Sequence, residues 1–236
     1  MTWLWPICFS LFVIAASCAE ISGEVQLRDS REASVRKGGD FSGVVVSLVP
    51  VEATEISTAP SRHLKMLQKN KTFSPHVLPI QVGTVVDFPN LDPIFHNAFS
   101  SYSGQVFDVG LYSPGASRAV RFARPGVVRV FCNIHPSMSA VIVVLNTPYF
   151  TVTGPDGRFA LDVPAGKYEL HVFHERASEA TLSRMTRVLQ AGADPLSIPS
   201  IVISEAGYLP APHKNKYGRP YPADTNDQSV YPGVRP

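Results

Sequence analysis

Residues Cys132-Asn133-Ile134-His135-Pro136-Ser137-Met138 bring a thiol, an imidazole and a thioether into one short turn. A second imidazole, His96, stands upstream in Phe95-His96-Asn97-Ala98-Phe99. These donors are soft or borderline. Thiolate and thioether stabilise Cu(I) while two imidazoles serve both Cu(I) and Cu(II), so the set suits an ion that cycles between those states. No carboxylate joins it, which argues against magnesium or calcium. Donor type alone leaves zinc open, although structural zinc sites favour Cys and His and catalytic ones keep an open position, so a thioether has little place there.

Each of these residues also has a plainer reading. A cysteine by itself is as often a small buried hydrophobe as a ligand. A Cys-His nucleophilic pair would need a third residue to orient the base and a site for an oxyanion; neither is visible, and a Met three residues after the His adds nothing to that chemistry. His171 and His174 are three apart on an expected strand, which turns them to opposite faces. His63, His76 and His213 are isolated.

The elements that must position the donors are strands. Val128, Val130 and Cys132 alternate along Val127 to Cys132, which places the thiol on the inward face at the strand's end, and Ala140 to Leu145 returns after the turn. Further strands are expected over Gly43 to Pro50, Ser61 to Lys69, Leu78 to Phe88, Gln105 to Tyr112 and Ala119 to Arg124. After Asn146-Thr147-Pro148 a second set comes at Phe150 to Thr153, Arg158 to Val163, Tyr168 to His174, Thr186 to Leu189 and Ser200 to Ser204, with turns at Pro155-Asp156-Gly157 and Pro164-Ala165-Gly166. The fold class is all-β.

The chain has 236 residues, 44% hydrophobic and 17% charged, with 21 Pro, 16 Gly and 3 Cys. That composition excludes a disordered chain, a collagen-like repeat and a disulfide-dense miniprotein. The net charge of +2 is scattered, with no run of like charge to grip a phosphate backbone, so nucleic acid is not an expected partner. The first 19 residues carry no charged side chain, hold an apolar core from Leu11 to Ala16 and end in Ser17-Cys18-Ala19, the pattern of a signal peptide for secretion or the periplasm. Cys18 is a second candidate, for a lipid anchor, with Ala15 standing where a large aliphatic residue is usual. No later segment is long and apolar enough for a membrane span. Cleavage would leave Cys132 as the one cysteine in an oxidising compartment, where an unpaired thiol calls for a reason such as a metal.

Phe73 through Asp92, His96-Asn97 and Cys132-Asn-Ile-His135-Pro-Ser-Met138 together resemble the plastocyanin-like cupredoxins, and among them the amicyanins, which share the C-x-x-H-P-x-M spacing. The resemblance covers about residues 70 to 146. It implies a Greek-key β-sandwich holding one mononuclear type 1 copper, with His96, Cys132 and His135 as equatorial ligands and Met138 as the axial one. It also implies supporting roles for Asn97, whose side chain would tie the two ligand loops together, for Asn133 or a neighbour as an N–H donor to the thiolate, and for Pro136 as a stiffener of the turn. With every donor position filled by protein, the implied role is a carrier of single electrons rather than an enzyme. Its partner would be a redox protein such as a cytochrome c or a dehydrogenase, met by a monomer. Arg118, Arg121, Arg124 and Arg129 would offer a basic docking face, or else are solvent-facing positions of edge strands.

Tyr149 to Glu175 resembles carboxypeptidase-regulatory-like, transthyretin-like β-sandwich modules. The expected division is a signal peptide over 1–19, the copper domain over 20–146, a smaller β-sandwich over 147–205 and an extended or disordered Pro- and Tyr-rich tail over 206–236. A cell-envelope scaffold of two β-sandwiches, with structural or stored copper, is the competing reading.

Overall fold

The computed structural model describes residues 18–52, 62–101, 104–209 and 213–221. The expected signal peptide lies outside the described residues, apart from Cys18 and Ala19. The elements are β1 (Cys18–Arg28), α1 (Ala33–Gly38), β2 (Val45–Pro50), β3 (His63–Lys65), β4 (Leu67–Lys69), β5 (Thr72–Ser74), β6 (Val77–Gln81), β7 (Val85–Pro89), β8 (Phe99–Ser100), β9 (Phe107–Asp108), β10 (Ser117–Arg121), β11 (Gly126–Phe131), β12 (Ser139–Leu145), β13 (Phe150–Val152), β14 (Arg158–Pro164), β15 (Gly166–Phe173), α2 (Glu179–Ser183), β16 (Arg187–Ala191), β17 (Leu196–Ser197) and β18 (Ile201–Ser204). Among the described residues no helix is long and apolar enough to cross a membrane.

Strands β3 to β12 enclose one core. One sheet has the order β10-β7-β3 and the other β6-β12-β11-β8-β9, with β4 and β5 as a separate hairpin. Met66, Phe88, Phe122, Val128, Val130 and Ile142 are fully buried between them. A phenylalanine withdrawn from water in this way contributes roughly 1.5–3 kcal/mol. Along β11 the expected alternation holds: Val128, Val130 and Cys132 face the core while Arg129 is exposed. The expected strand from Leu78 to Phe88 is two strands instead. Gly83, at φ 95°, turns the chain between β6 and β7, and the Thr84 N–H closes that turn on the Gln81 carbonyl. The two pieces thereby enter different sheets. Of the expected strand from Gln105 to Tyr112, only β9 and a bridge between Tyr112 and His96 form.

A second core is built from both ends of the chain. In it β1 pairs with β14 in antiparallel fashion and runs parallel to β17 and β18, while β2 lies between β13 and β15, with β16 beyond. The expected division put residues 20–50 with the copper domain; their backbone and side chains are instead committed to strands that come after Thr147. The reason is β1's own alternation. Ala19, Ile21, Val25 and Leu27 share one buried face, packed against Leu48, Leu170 and Ile203. Gly157 is required by the β1–β14 corner: at φ 74° any Cβ would sit 2.1 Å from the Val25 carbonyl oxygen. The chain leaves this core after β2 and returns beside it, where the Thr147 hydroxyl donates to the Leu48 carbonyl at 2.6 Å.

Val45, Val141 and Val143 form a small apolar seam between the two cores. A polar junction adjoins it. His76 pairs with Glu175 at 2.8 Å, and Glu205 binds His174 at 2.8 Å, Arg176 at 3.0 Å and the Ser30 hydroxyl at 2.6 Å.

Candidate metal centre

Two loops at one end of the first core gather the donors. Cys132 directly follows β11 with its thiol wholly buried, and the turn is closed by the Cys132 N–H on the Met138 carbonyl and the Met138 N–H on the His135 carbonyl. His96 is clamped by reciprocal backbone bonds with Tyr112. Cys132 Sγ lies 3.9 Å from His96 Nδ1 and 3.7 Å from His135 Nδ1, and the three donor atoms fall within 4.8 Å of one another. Metal–sulfur and metal–nitrogen bonds of about 2.3 and about 2.0 Å at a trigonal angle would separate the two donor atoms by about 3.7 Å. The residues present therefore fit a first-row metal ion in a trigonal N, N, S arrangement. Met138 is fully buried in the same core. His135 is the partly exposed member of the cluster.

Burial pushes the Cys132 thiol up, while the backbone N–H groups of Ile134, His135 and Asn97 point at the sulfur and favour the thiolate. A metal on the sulfur would complete what those three donors begin. The His96 ring is oriented from behind. Its Nε2 stands 2.8 Å from the Asp92 carboxylate, so the Nε2 proton is held there and the Nδ1 lone pair is turned toward the sulfur. Asp92 is buried, which alone would raise its carboxyl. The N–H groups of Lys71, His96 and Asn70 outweigh burial and hold it below the usual carboxylate range.

No family model matches the sequence, and no curated protein does. Solved structures do. The chain is similar to the copper-containing nitrite reductase NirK from Thermus scotoductus SA-01, at 27% identity over 41% of this chain and 25% of that one, with a TM-score of 0.34. It is similar to a purple cupredoxin from Nitrosopumilus maritimus, at 26% identity over 35% of this chain and 99% of that one, TM-score 0.32. Amicyanin from Paracoccus versutus matches at 17% identity over 42% of this chain and 98% of that one, TM-score 0.34. The chain thus spans a quarter of the length of the reductase it matches. Residues 62–145 form a β-sandwich of two sheets around one core.

Within this body Asn97 is placed differently from expectation. The Asn97 side chain does not reach the Cys132 turn; its Nδ2 donates to Asp108 at 2.7 Å and to the Gly110 carbonyl at 2.9 Å. It is the Asn97 backbone that faces the sulfur. Of the N–H donors expected from Asn133 or a neighbour, it is the neighbours Ile134 and His135 that face the sulfur, while the Asn133 Oδ1 accepts from the Lys216 N–H at 3.0 Å. Pro136 is exposed in the turn, with its carbonyl accepting from His213.

Two contributions escaped the sequence reading. Asp92, four residues before His96, lies inside the stretch that carries the family resemblance, and its i, i+4 relation to a candidate ligand was the available signal. The tail is the second. Residues 213–221, within a segment expected to be extended or disordered, lie on the ligand turn, and His213, apparently isolated in sequence, stacks on Phe131 at 4.1 Å. His171 and His174 do face opposite ways, one paired with Glu169 at the surface and the other buried on Glu205. Arg118, Arg121, Arg124 and Arg129 are all exposed.

Proposed function

We propose that this protein is a secreted or periplasmic mononuclear type 1 copper protein that carries single electrons between redox partners. His96, Cys132 and His135 would be the equatorial ligands and Met138 the axial one. The observation that carries the reading is the convergence of one thiol and two imidazole nitrogens at 3.7 and 3.9 Å in a buried pocket built by two loops. Copper bound there would supply a one-electron couple. The chain's part is to hold the donors still, to exclude water from the sulfur and to leave one imidazole edge at the surface. Every donor position is filled by protein, which leaves no coordination position for a substrate and favours a carrier over an enzyme. His135, framed by Ile134 and Pro136, is the point at which electrons would cross. The exposed arginines offer a basic face to an acidic redox protein such as a cytochrome c.

The body formed by residues 18–50 and 147–205 is read as a carboxypeptidase-regulatory-like β-sandwich that docks or anchors the carrier. The presence of this appended body and of the tail is what favours the rival reading of a scaffold with structural or stored copper.

Visible spectra of the Cu(II)-loaded wild type and of Cys132→Ser test the proposal. An intense thiolate-to-copper band is expected in the first and absent from the second, together with reversible reduction by a cytochrome c. A well-folded wild type without that band refutes the type 1 site. The band without reduction moves the protein to copper storage.

A further inference from the structure

The expected tie between the two ligand loops exists, but it runs through the tail. From the His96 loop, the Asn97 side chain donates to Asp108 at 2.7 Å; Lys216 Nζ reaches the same carboxylate at 2.8 Å. From there the Lys216 backbone N–H donates to Asn133 in the Cys132 turn at 3.0 Å. Two further bonds fall on that turn. The Tyr221 hydroxyl donates to the Cys132 carbonyl at 2.6 Å, and His213 Nε2 donates to the Pro136 carbonyl at 2.6 Å. The carbonyls they occupy flank His135 on both sides. His213 also lies flat on Phe131 and meets Tyr221 edge-on, so the segment is packed as well as hydrogen-bonded.

We infer that residues 213–221 are a clamp of the metal centre, holding the Cys132–Met138 turn in its donor-gathering shape before and after metal binds. The inference rests on the copper reading for its consequence, but the clamp itself is a property of the metal-free chain. A turn whose tip, Pro136 and Ser137, is exposed would otherwise sample many conformers, and each ordered residue costs about 1–2 kcal/mol of conformational entropy. A binding site needs its ligands within about 0.5 Å of their working positions, which requires neighbours that lock them. The strand β11 fixes Cys132, and the clamp fixes the turn from Asn133 onward. Tyr221, His213 and Lys216 are positioning residues. On the turn itself they bind the backbone and the Asn133 side chain, and among the described hydrogen bonds of the three none falls on a donor atom of the cluster.

The test uses the full chain. Amide hydrogen exchange is measured in the metal-free protein at residues 132–138 and in β14, and the copper-loaded form is challenged with a chelator while its visible band is recorded. A His213→Ala/Tyr221→Phe double variant is expected to exchange roughly tenfold faster at 132–138, to lose copper faster by a similar factor and to shift or broaden the band, with β14 unchanged. Lys214→Ala, an exposed change in the same segment, should match the parent throughout. Unchanged exchange at 132–138 in the double variant, or faster exchange spread over the whole chain, overturns the clamp. A parent that binds no copper would defeat the electron-carrier reading while leaving the exchange measurement to decide on the clamp.

Discussion

Two buried histidines in this protein are held in the same way. His96 Nε2 and His174 Nε2 each stand 2.8 Å from a buried carboxylate, Asp92 in one case and Glu205 in the other. What differs is the far side of the ring. His96 Nδ1 faces the Cys132 sulfur, with His135 beside it, whereas His174 Nδ1 is buried without a hydrogen-bond partner. Glu205, moreover, also holds Arg176 and Ser30, while Asp92 holds two backbone N–H groups. An oriented imidazole is therefore not in itself a ligand. At the junction of the two bodies the same device builds an ion-pair network; at the sandwich end it aims a donor atom.

The contrast predicts different losses when each carboxylate is neutralised. Glu205→Gln removes the nearer counter-charge of half-buried Arg176 and should lower unfolding free energy by about 2 kcal/mol, seen in a denaturant titration, with no change in any copper band. Asp92→Asn should cost stability only about 1 kcal/mol. Its larger effect is on the metal. Loss of a nearby negative charge disfavours Cu(II) relative to Cu(I), and a tenfold change in that preference, about 59 mV, is expected as a rise in potential by voltammetry. Equal stability losses without a potential shift would erase the distinction between the two sites.

Acid sharpens the same comparison at the junction. Burial pulls His174 below its ordinary value of 6.5, although Glu205 opposes this, so the unfolded chain takes the proton first and stability falls as pH drops below 6.5. His76 moves the other way. Its hydrogen bond to Glu175 raises it, so its contribution is full below 6.5 and fades as pH climbs through the folded value. Burial would raise Glu175 and Glu205, but their ion-pair and hydrogen-bond partners prevail and lower both, which withdraws their support only at more acid pH. Melting temperatures from pH 7 to 4 should therefore decline less steeply in His174→Gln and more steeply in His76→Gln. The smallest effect belongs to the exposed pair of His171 and Glu169, where His171→Gln should change stability by less than about 0.5 kcal/mol in the same melts.

The chemistry of the Cys132 turn was legible because its residues are neighbours in sequence, and the strand period of β11 fixed which way the thiol points. His96 was legible through its position after a strand and the family pattern. What relates residues far apart was not. Tyr221 reaches Cys132, and Lys216 reaches Asp108, through contacts that no local period encodes. In composition the tail looked too poor in aliphatic side chains to order itself, and residues 213–221 instead pack on the surface of the turn. The strand β1 was hidden for another reason. Its alternation of Ala19, Ile21, Val25 and Leu27 is plain, but it adjoins a segment with the signature of a leader, and nothing local shows that its partner is β14.

That pairing has a consequence for synthesis. Strands β1 and β2 come before the inner sandwich in the chain, yet the strands that complete their sheets come only after all of it. Until then an apolar ribbon has no mate, which is a state prone to sticking to other chains. The inner sandwich, whose strands all lie between His63 and Leu145, can close without waiting. The outer body, by contrast, can close only once β18 has been made, after the whole of the inner sandwich.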